Sequence, residues 1–300
     1  MKTLSKQDVI YSFSRKNEPV MTVKPGETVT IETYDCFKDQ IQSEEQEVGA
    51  IDWNEINPAT GPIAVEGAVS GDLLKVTIDN LEIGSQGVMV TGPELGVMGH
   101  RMEEMEAKII PIKNGKAIFN EQLHLPLNPM IGVIGVAPEG EPVSCGTPGA
   151  HGGNMDTKQV TAGATLYFPV FTEGALFALG DFHAAMGDGE ISVSGIEVPG
   201  RATVTLDLVK GFHSKYPVLQ NESGVSLLVS AMTLDEAVKI AAEEMIDLLL
   251  PYTDMSVSEM TMLMSAAGEA QISQVVDPLV TVRFFVPAHV LESLDIQLFS

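Results

Sequence analysis

Between residues 27 and 232 the chain repeats one pattern. Short runs alternate apolar and polar side chains, and glycine, proline or asparagine closes each run. ETVTIETY (27–34), DLLKVTIDNLEI (72–83), RATVTLDLV (201–209) and GVSLLVSAM (224–232) alternate with the period of a strand buried on one face. MIGVIGVAP (130–138) and TLYFPVF (165–171) are nearly continuous apolar runs, expected of strands covered on both faces. NPATGP, TGPELG, KNGK and GDGE supply turns. The Asn-Gly of KNGK (113–116) suits a tight hairpin, because both residues accept the positive φ of a type I′ turn. About ten strands at this spacing predict a mainly β chain built as a β-sandwich, jelly-roll-like.

After residue 232 the period changes. TLDEAVKIAAEEMIDLLLP (233–251) opens on a capping box, Thr233 with Glu236, and sets apolar residues on one helical face until Pro251. A second box, Ser256 with Glu259, opens SVSEMTMLMSAAG (256–268), whose methionine stripe reads as core packing. QISQVVDPLVTVRFFVP (271–287) returns to strand character. The expected organisation is a β-sandwich over 1–232 with a smaller C-terminal α+β portion, 233–300, containing two helices and packed on the same domain. The acidic run from Asp39 to Glu55 reads as a solvated loop, with Trp53 anchoring it or rimming a pocket.

Charge narrows the function. Seventeen basic residues stand against 41 acidic ones, a net charge of −24. That disfavours a nucleic-acid phosphate backbone and an anionic membrane surface. A neutral or cationic small molecule is the better partner, although a saline or alkaline habitat would also select such acidity. Two cysteines do not make a disulfide scaffold. The start lacks the apolar segment of a leader and no run approaches a membrane span, so the cytoplasm is the expected compartment.

Chemistry concentrates between Cys145 and Glu190. His151 precedes Asp156, Asp181 precedes His183, and Asp188 precedes Glu190, with glycines between. If Met186 to Gly189 form a turn, Ala185 faces Glu190, and Asp181, His183 and Glu190 share one face of a hairpin. Such groups are costly to bury unpaired, and a divalent cation is the simplest compensation. Histidine with carboxylates suits zinc or another first-row metal, whereas a site of oxygens alone suits calcium or magnesium. GGNMD (152–156) offers the N–H groups of Gly152 and Gly153 and the amide of Asn154 to a developing oxyanion. Asp156 is a further ligand or orients His183. Asp35, at a strand end, reaches the site or caps a turn. Each piece has an ordinary reading too: a lone D-x-H is structural, a GGN is a turn, and GDGE follows from turn chemistry. Cys145 lacks an identifiable base and reads as a small buried residue. His100, His124, His213 and His289 read as surface residues.

Several blocks resemble the acetamidase/formamidase family: TVTIETYDCF (28–37), NPATGPIAVEGAVSGDLLKVTI (57–78), MIGVIGVAP (130–138), TPGAHGGNMD (147–156), LYFPVFTEGALFALGDFHAAMGDGE (166–190) and ISQVVDP (272–278). The resemblance implies hydrolysis of short aliphatic amides to a carboxylate and ammonia, a jelly-roll-like β-sandwich and a homo-oligomer, often a dimer. No GGSSGG-like serine-amidase stretch is present, and the β pattern does not suit a nitrilase-type amidase. A water activated by a metal or a carboxylate is the mechanism left. The expected site has Asp156, Asp181 and His183 on a divalent metal, zinc first with calcium as the alternative. Asp35 is a further ligand in that site, Glu190 carries the proton, and Gly152, Gly153 and Asn154 face the oxyanion. The rivals are a non-catalytic metal- or carbohydrate-binding β-sandwich and a hydrolase of another C–N bond. A single Trp and 6% aromatic residues disfavour a sugar-stacking surface.

Overall fold

The computed structural model describes residues 2–46 and 48–299. Two large, mostly antiparallel sheets carry the fold. One has nine strands, ordered Lys2–Leu4, Glu27–Thr33, Gly200–Val209, Leu73–Ile83, Thr165–Pro169, Val218–Asn221, Gly224–Ala231, Val280–Pro287 and Glu269–Gln274. At the centre of the other, Phe177–His183 lies between Met130–Gly135 and Glu197–Val198 and also pairs with Ala59–Val65. Gly152–Asn154 runs antiparallel along Met130–Gly135.

The predicted alternation sets the layers. Val29 and Ile31, Val76 and Ile78, and Val204 and Leu206 point from the first sheet into one core. Ile63, Ile131, Ile134, Phe177 and Leu179 of the second sheet meet them there. Adjacent residues diverge as the pleat requires: Leu228 enters this core while Leu227 faces the helices on the other side of the sheet. On that side Ala237, Ala241, Met245 and Leu249 of the helix Leu234–Leu249 form a second core with Met260 and Met264 of Val257–Ala267. Each helix begins at its expected cap. Thr233 accepts the Glu236 N–H, and Ser256 and Glu259 cap each other reciprocally. Asn114 and Gly115 take φ of 52° and 71° between Glu106–Lys113 and Lys116–Ile118, as the Asn-Gly turn requires.

The structure refines three expectations. The run 271–287 is two strands, Glu269–Gln274 and Val280–Pro287, followed by a short helix, Ala288–Ser293. The acidic segment 39–55 is anchored, because Ile41, Val48 and Ile51 are buried with Cys36, Val88 and Val90. Its salt bridges Lys6–Asp39 and Lys38–Glu55 close at 2.6 Å each. Cys36 and Cys145 are both buried and free. Among the described residues no helix is long and apolar enough to cross a membrane.

One cross-link matters for function. The last edge strand of the first sheet grips the loop that follows Phe177–His183: the Gly189 N–H donates to the Ser273 carbonyl at 2.7 Å and the Val275 N–H to the Gly189 carbonyl at 3.1 Å. The C-terminal portion therefore helps to build the wall of the central strand's end.

Leu206 is fully buried in the shared core, and Leu206→Ala should cost about 2–5 kcal/mol in equilibrium guanidinium unfolding. Met262, 64% exposed on the second helix, should lose no more than about 0.5 kcal/mol as Met262→Ala. Equal losses at the two positions would contradict the layer assignment.

Candidate metal centre

Six ionisable side chains converge at the end of Phe177–His183: Asp156, Asp181, His183, Glu190, Glu197 and Asp277. The first five are buried, and Asp277 is half-buried. His183 is the hub. Its Nε2 lies 3.2 Å from Glu197 Oε2, 3.4 Å from Asp181 Oδ1, 3.7 Å from Glu190 Oε1 and 3.8 Å from Asp156 Oδ1. Ligands on a tetrahedral zinc ion sit about 3.3–3.5 Å from one another, given bonds of about 2.0–2.1 Å. The cluster thus has nearly the spacing of a coordination shell.

Local backbone explains the convergence. Asp156, Asp181 and Glu190 adopt left-handed φ of 37°, 56° and 47°. Such conformations are strained for residues other than glycine and concentrate at functional sites. In the central strand the ladder pairs Phe182 with Ile131 and Gly180 with Val133, and it skips Asp181. The residue across that gap is Gly132. A Cβ there would stand 2.4 Å from Asp156 Oδ1 and 2.7 Å from Asp181 Oδ2. Gly132 therefore leaves the room in which two carboxylates meet. Gly195 does the same for the imidazole, since its Cβ would lie 2.6 Å from His183 Nδ1.

Hydrogen bonding does not satisfy the cluster. Both oxygens of Asp156, Asp181 Oδ1, both nitrogens of His183, Glu197 Oε2 and Asp277 Oδ2 are buried without a partner. Lys158 and Arg283 point at Asp188 instead, at 2.9 and 2.8 Å. Burial, then the charge of Asp181, pushes the Asp156 carboxyl up to about 6. Burial pushes Glu197 up to about 8. Burial and the neighbouring Asp156 drive Glu190 and Asp277 well above the carboxylate range. Burial would also raise Asp181, but His183 holds it below its ordinary value. Burial would lower His183, yet Glu197 and Asp181 drive it well above its ordinary value. A divalent cation would reverse this proton-hoarding, because it favours every carboxylate in its charged form. Among the described residues two triads have ligand atoms mutually within 4.8 Å: Asp156, His183 and Glu190, and Cys36, Asp181 and Glu197.

The cluster opens on a cleft of about 360 Å³ whose lining includes Cys36, Trp53, Asn154, Asp181, Glu190 and Glu197. A larger hollow of about 640 Å³, near Asp72, His213 and Glu244, contains no comparable group of unpartnered side chains. Chemistry, not volume, locates the site.

Asp156, Asp181, His183 and Glu190 are brought together, but not by the expected hairpin. The residue opposite His183 is Glu197. Ala185 accepts the Ile196 N–H, so it does not face Glu190. Glu190 arrives from the connecting loop, which is long because the edge strand holds Gly189. The N–H groups of Gly152 and Gly153 are not open to an oxyanion. Gly152 donates to the Gly149 carbonyl at 3.0 Å. Gly153 stands opposite Ile134, and the bonds Val136 to His151 and Met155 to Gly132 on either side fix that pair as a hydrogen-bonded one. Asn154 is buried, with Oδ1 unpartnered, in the cleft lining. Asp35 Oδ1 accepts the N–H groups of Phe37 and Asp39 at 3.0 and 2.7 Å, and so caps a turn beside the site. His100, His124, His213 and His289 are exposed, and Cys145 is fully buried. Sequence reasoning missed Cys36, Glu197 and Asp277. Two of them sit in blocks already singled out, TVTIETYDCF and ISQVVDP.

Arg283 fastens this architecture from behind. It is 2% exposed. Its guanidinium donates to Gln271 Oε1 at 2.8 Å, the Ile272 carbonyl at 2.7 Å, Ser273 Oγ at 3.1 Å and Asp188 Oδ2 at 2.8 Å. Thr157 Oγ1 donates to the same Ser273 at 2.8 Å, and Gln274 Oε1 accepts the Asp277 N–H at 3.0 Å. One strand thus ties together the segments that carry Asp156, Glu190 and Asp277.

Comparison with known proteins bears on the family and the fold. A sequence model of the acetamidase/formamidase family matches residues 12–144 and 143–293. The crystal structure of a recombinant predicted acetamidase/formamidase from Thermoanaerobacter tengcongensis superposes with a TM-score of 0.97 at 51% identity, covering 99% of this chain and 98% of that one. An acetamidase from Bacillus halodurans gives 0.96 at 44% identity, covering 98% and 100%. A formamidase from Methylophilus methylotrophus is 26% identical over 263 residues, 66% of this chain and 63% of its own length. The match therefore spans less than two thirds of that curated relative.

His151, edge-on to Phe13 at 5.2 Å, supplies a pH test of the fold. Burial lowers it from an ordinary 6.5 to about 4. Below pH 6.5 the unfolded chain takes up a proton that the folded chain refuses, so stability falls as pH drops from about 6.5 to about 4. His151→Gln should remove on the order of 3 kcal/mol of that acid sensitivity by pH 4, read from unfolding at stepped pH. An unchanged pH slope would place His151 elsewhere.

Proposed function

The chain belongs to the acetamidase/formamidase family, and we propose that it hydrolyses short aliphatic amides, formamide and acetamide foremost, to a carboxylate and ammonia. The observation that carries this reading is the buried, unpartnered carboxylate cluster around His183 at the floor of a small cleft. A cleft of about 360 Å³ suits a substrate of a few heavy atoms. A net charge of −24 does not oppose a neutral amide.

The donor set fits a divalent cation, zinc in the first place, because an imidazole nitrogen stands among carboxylate oxygens at coordination-shell spacing. Asp156, Asp181 and His183 would hold it. When bound, such an ion polarises a carbonyl and brings the pKa of a coordinated water to about 7. Glu190, with Oε1 at 3.7 Å from His183 Nε2, faces the same point. It takes the proton that the attacking water loses and returns it to nitrogen as the C–N bond breaks. Asn154, which lines the cleft, donates from its side-chain amide to the carbonyl oxygen as negative charge builds there. The strained backbone at Asp156, Asp181 and Glu190 keeps these groups aimed before substrate arrives. A cytoplasmic homodimer, expected from the sequence and the family resemblance, belongs to the same reading.

Purified protein should release ammonia from formamide and acetamide, lose that activity on exhaustive chelation and regain it with zinc. Activity indifferent to complete metal removal would move the chemistry to the carboxylates alone. Release from cyclic amides only would replace the substrate class. Glu190→Gln should keep its metal and fold while turnover falls roughly 10²-fold or more. Near-normal turnover would remove Glu190 from the mechanism. His183→Ala should lose the ion assigned to Asp156, Asp181 and His183, and an unchanged metal content would refute the ligand set.

A further inference from the structure

We propose that the cleft holds a second, thiolate-bound cation on Cys36, Asp181 and Glu197, next to the ion assigned to Asp156, Asp181 and His183. The proposal rests on the metal reading above only through the shared Asp181.

Three observations carry it. The first is geometry. Cys36 Sγ and one oxygen each of Asp181 and Glu197 lie within 4.8 Å of one another, and all three residues line the cleft. Two ions bridged by a common carboxylate sit about 3.5–4 Å apart in known two-metal sites, a distance a single aspartate spans. The second is the state of the oxygens. Glu197 Oε2 and Asp181 Oδ1 are buried and have no hydrogen-bond partner. Glu197 is 1% exposed and Asp181 3%. Carboxylates held in this way need a cation or a proton. The third is charge. Asp156, Asp181, Glu190, Glu197 and Asp277 face one imidazole, so a single divalent ion would leave most of the carboxylate charge uncompensated.

The chain also presents Cys36 deliberately. Asp35 Oδ1 accepts the N–H groups of Phe37 and Asp39, which fixes a tight turn around the cysteine. The Cys36 carbonyl accepts the Asn57 N–H at 2.7 Å, pinning the other side. Asp35 therefore acts as the support of a ligand. The competing account makes the thiol an apolar filler packed among Phe37, Val88 and Val90, with its S–H directed at Glu197. Cation binding would expel the thiol proton to solvent and leave a thiolate. A thiolate selects zinc and related soft or borderline ions over calcium and magnesium, so the ligand class is a thiophilic divalent cation.

The experiment loads full-length wild type, Cys36→Ser, Cys36→Asp and His183→Ala with zinc, removes free metal by gel filtration and counts metal per chain by mass spectrometry. A parallel set is loaded with cobalt(II) and its near-ultraviolet absorption is recorded for a thiolate-to-metal charge-transfer band. Wild type should bind two equivalents and show the band. Cys36→Ser should bind one and lose the band. Cys36→Asp should regain the second equivalent without the band, which separates ligation from packing. His183→Ala should keep the band. One equivalent in wild type that is indifferent to Cys36, with amidase activity intact, would overturn the second site and leave the first. No bound metal in any form would overturn both.

Discussion

Gathering Asp156, Asp181, Glu190 and Glu197 around His183 in a buried pocket is the constraint on which the rest of the site depends. Taking a charge out of water costs several kcal/mol even after relaxation. Here no lysine or arginine compensates it, because Lys158 and Arg283 are both committed to Asp188. The protein bears this cost through the surrounding fold. Two sheets closed on one core hold the central strand rigidly, and its end can then carry groups that would otherwise turn out to solvent.

The cost extends to the backbone. Three of the carboxylates sit in left-handed conformations, each of which costs about 1–3 kcal/mol and persists only where its surroundings over-determine it. Those surroundings are visible. Gly132 leaves the space for Asp156 and Asp181. Arg283 and Ser273 fix the segments behind Asp156 and Glu190. The edge strand Glu269–Gln274, more than seventy residues further along the chain, closes the loop of Glu190 and delivers Asp277. The helical C-terminal portion is thus structural support for chemistry seated in the other sheet.

The site lies in a cleft of about 360 Å³, and a larger hollow of about 640 Å³ lies elsewhere. The pocket near Asp72 and Glu244 is lined by groups that already have partners, such as Lys210 on Asp72 and Lys215 on Glu244. Unsatisfied chemistry marks the smaller one. Phe37, Trp53 and Leu95 give that cleft an apolar side.

The sequence by itself determined the layers and named most of the side chains that cluster around His183. Period-two runs became strands with nearly the expected bounds, both main helices started at their expected N-caps (with a full capping box at Ser256 and Glu259), and Asn114-Gly115 made its hairpin. These signals are local, so a single chain displays them. Asp156, Asp181, His183 and Glu190 were legible because polar groups in apolar, glycine-rich surroundings stand out. The tertiary structure alone decided who faces whom. Asp181 breaks the alternation of its strand, so counting two residues along it could not give the true face. Ala185 does not pair with Glu190, and the residue opposite His183 is Glu197, because a remote strand holds the intervening loop at Gly189. Cys36 and Asp277 entered from opposite ends of the chain, and Gly152 and Gly153 spent their N–H groups on the backbone. Pairing over such separations depends on where sheet edges meet, and no local pattern of residues encodes it.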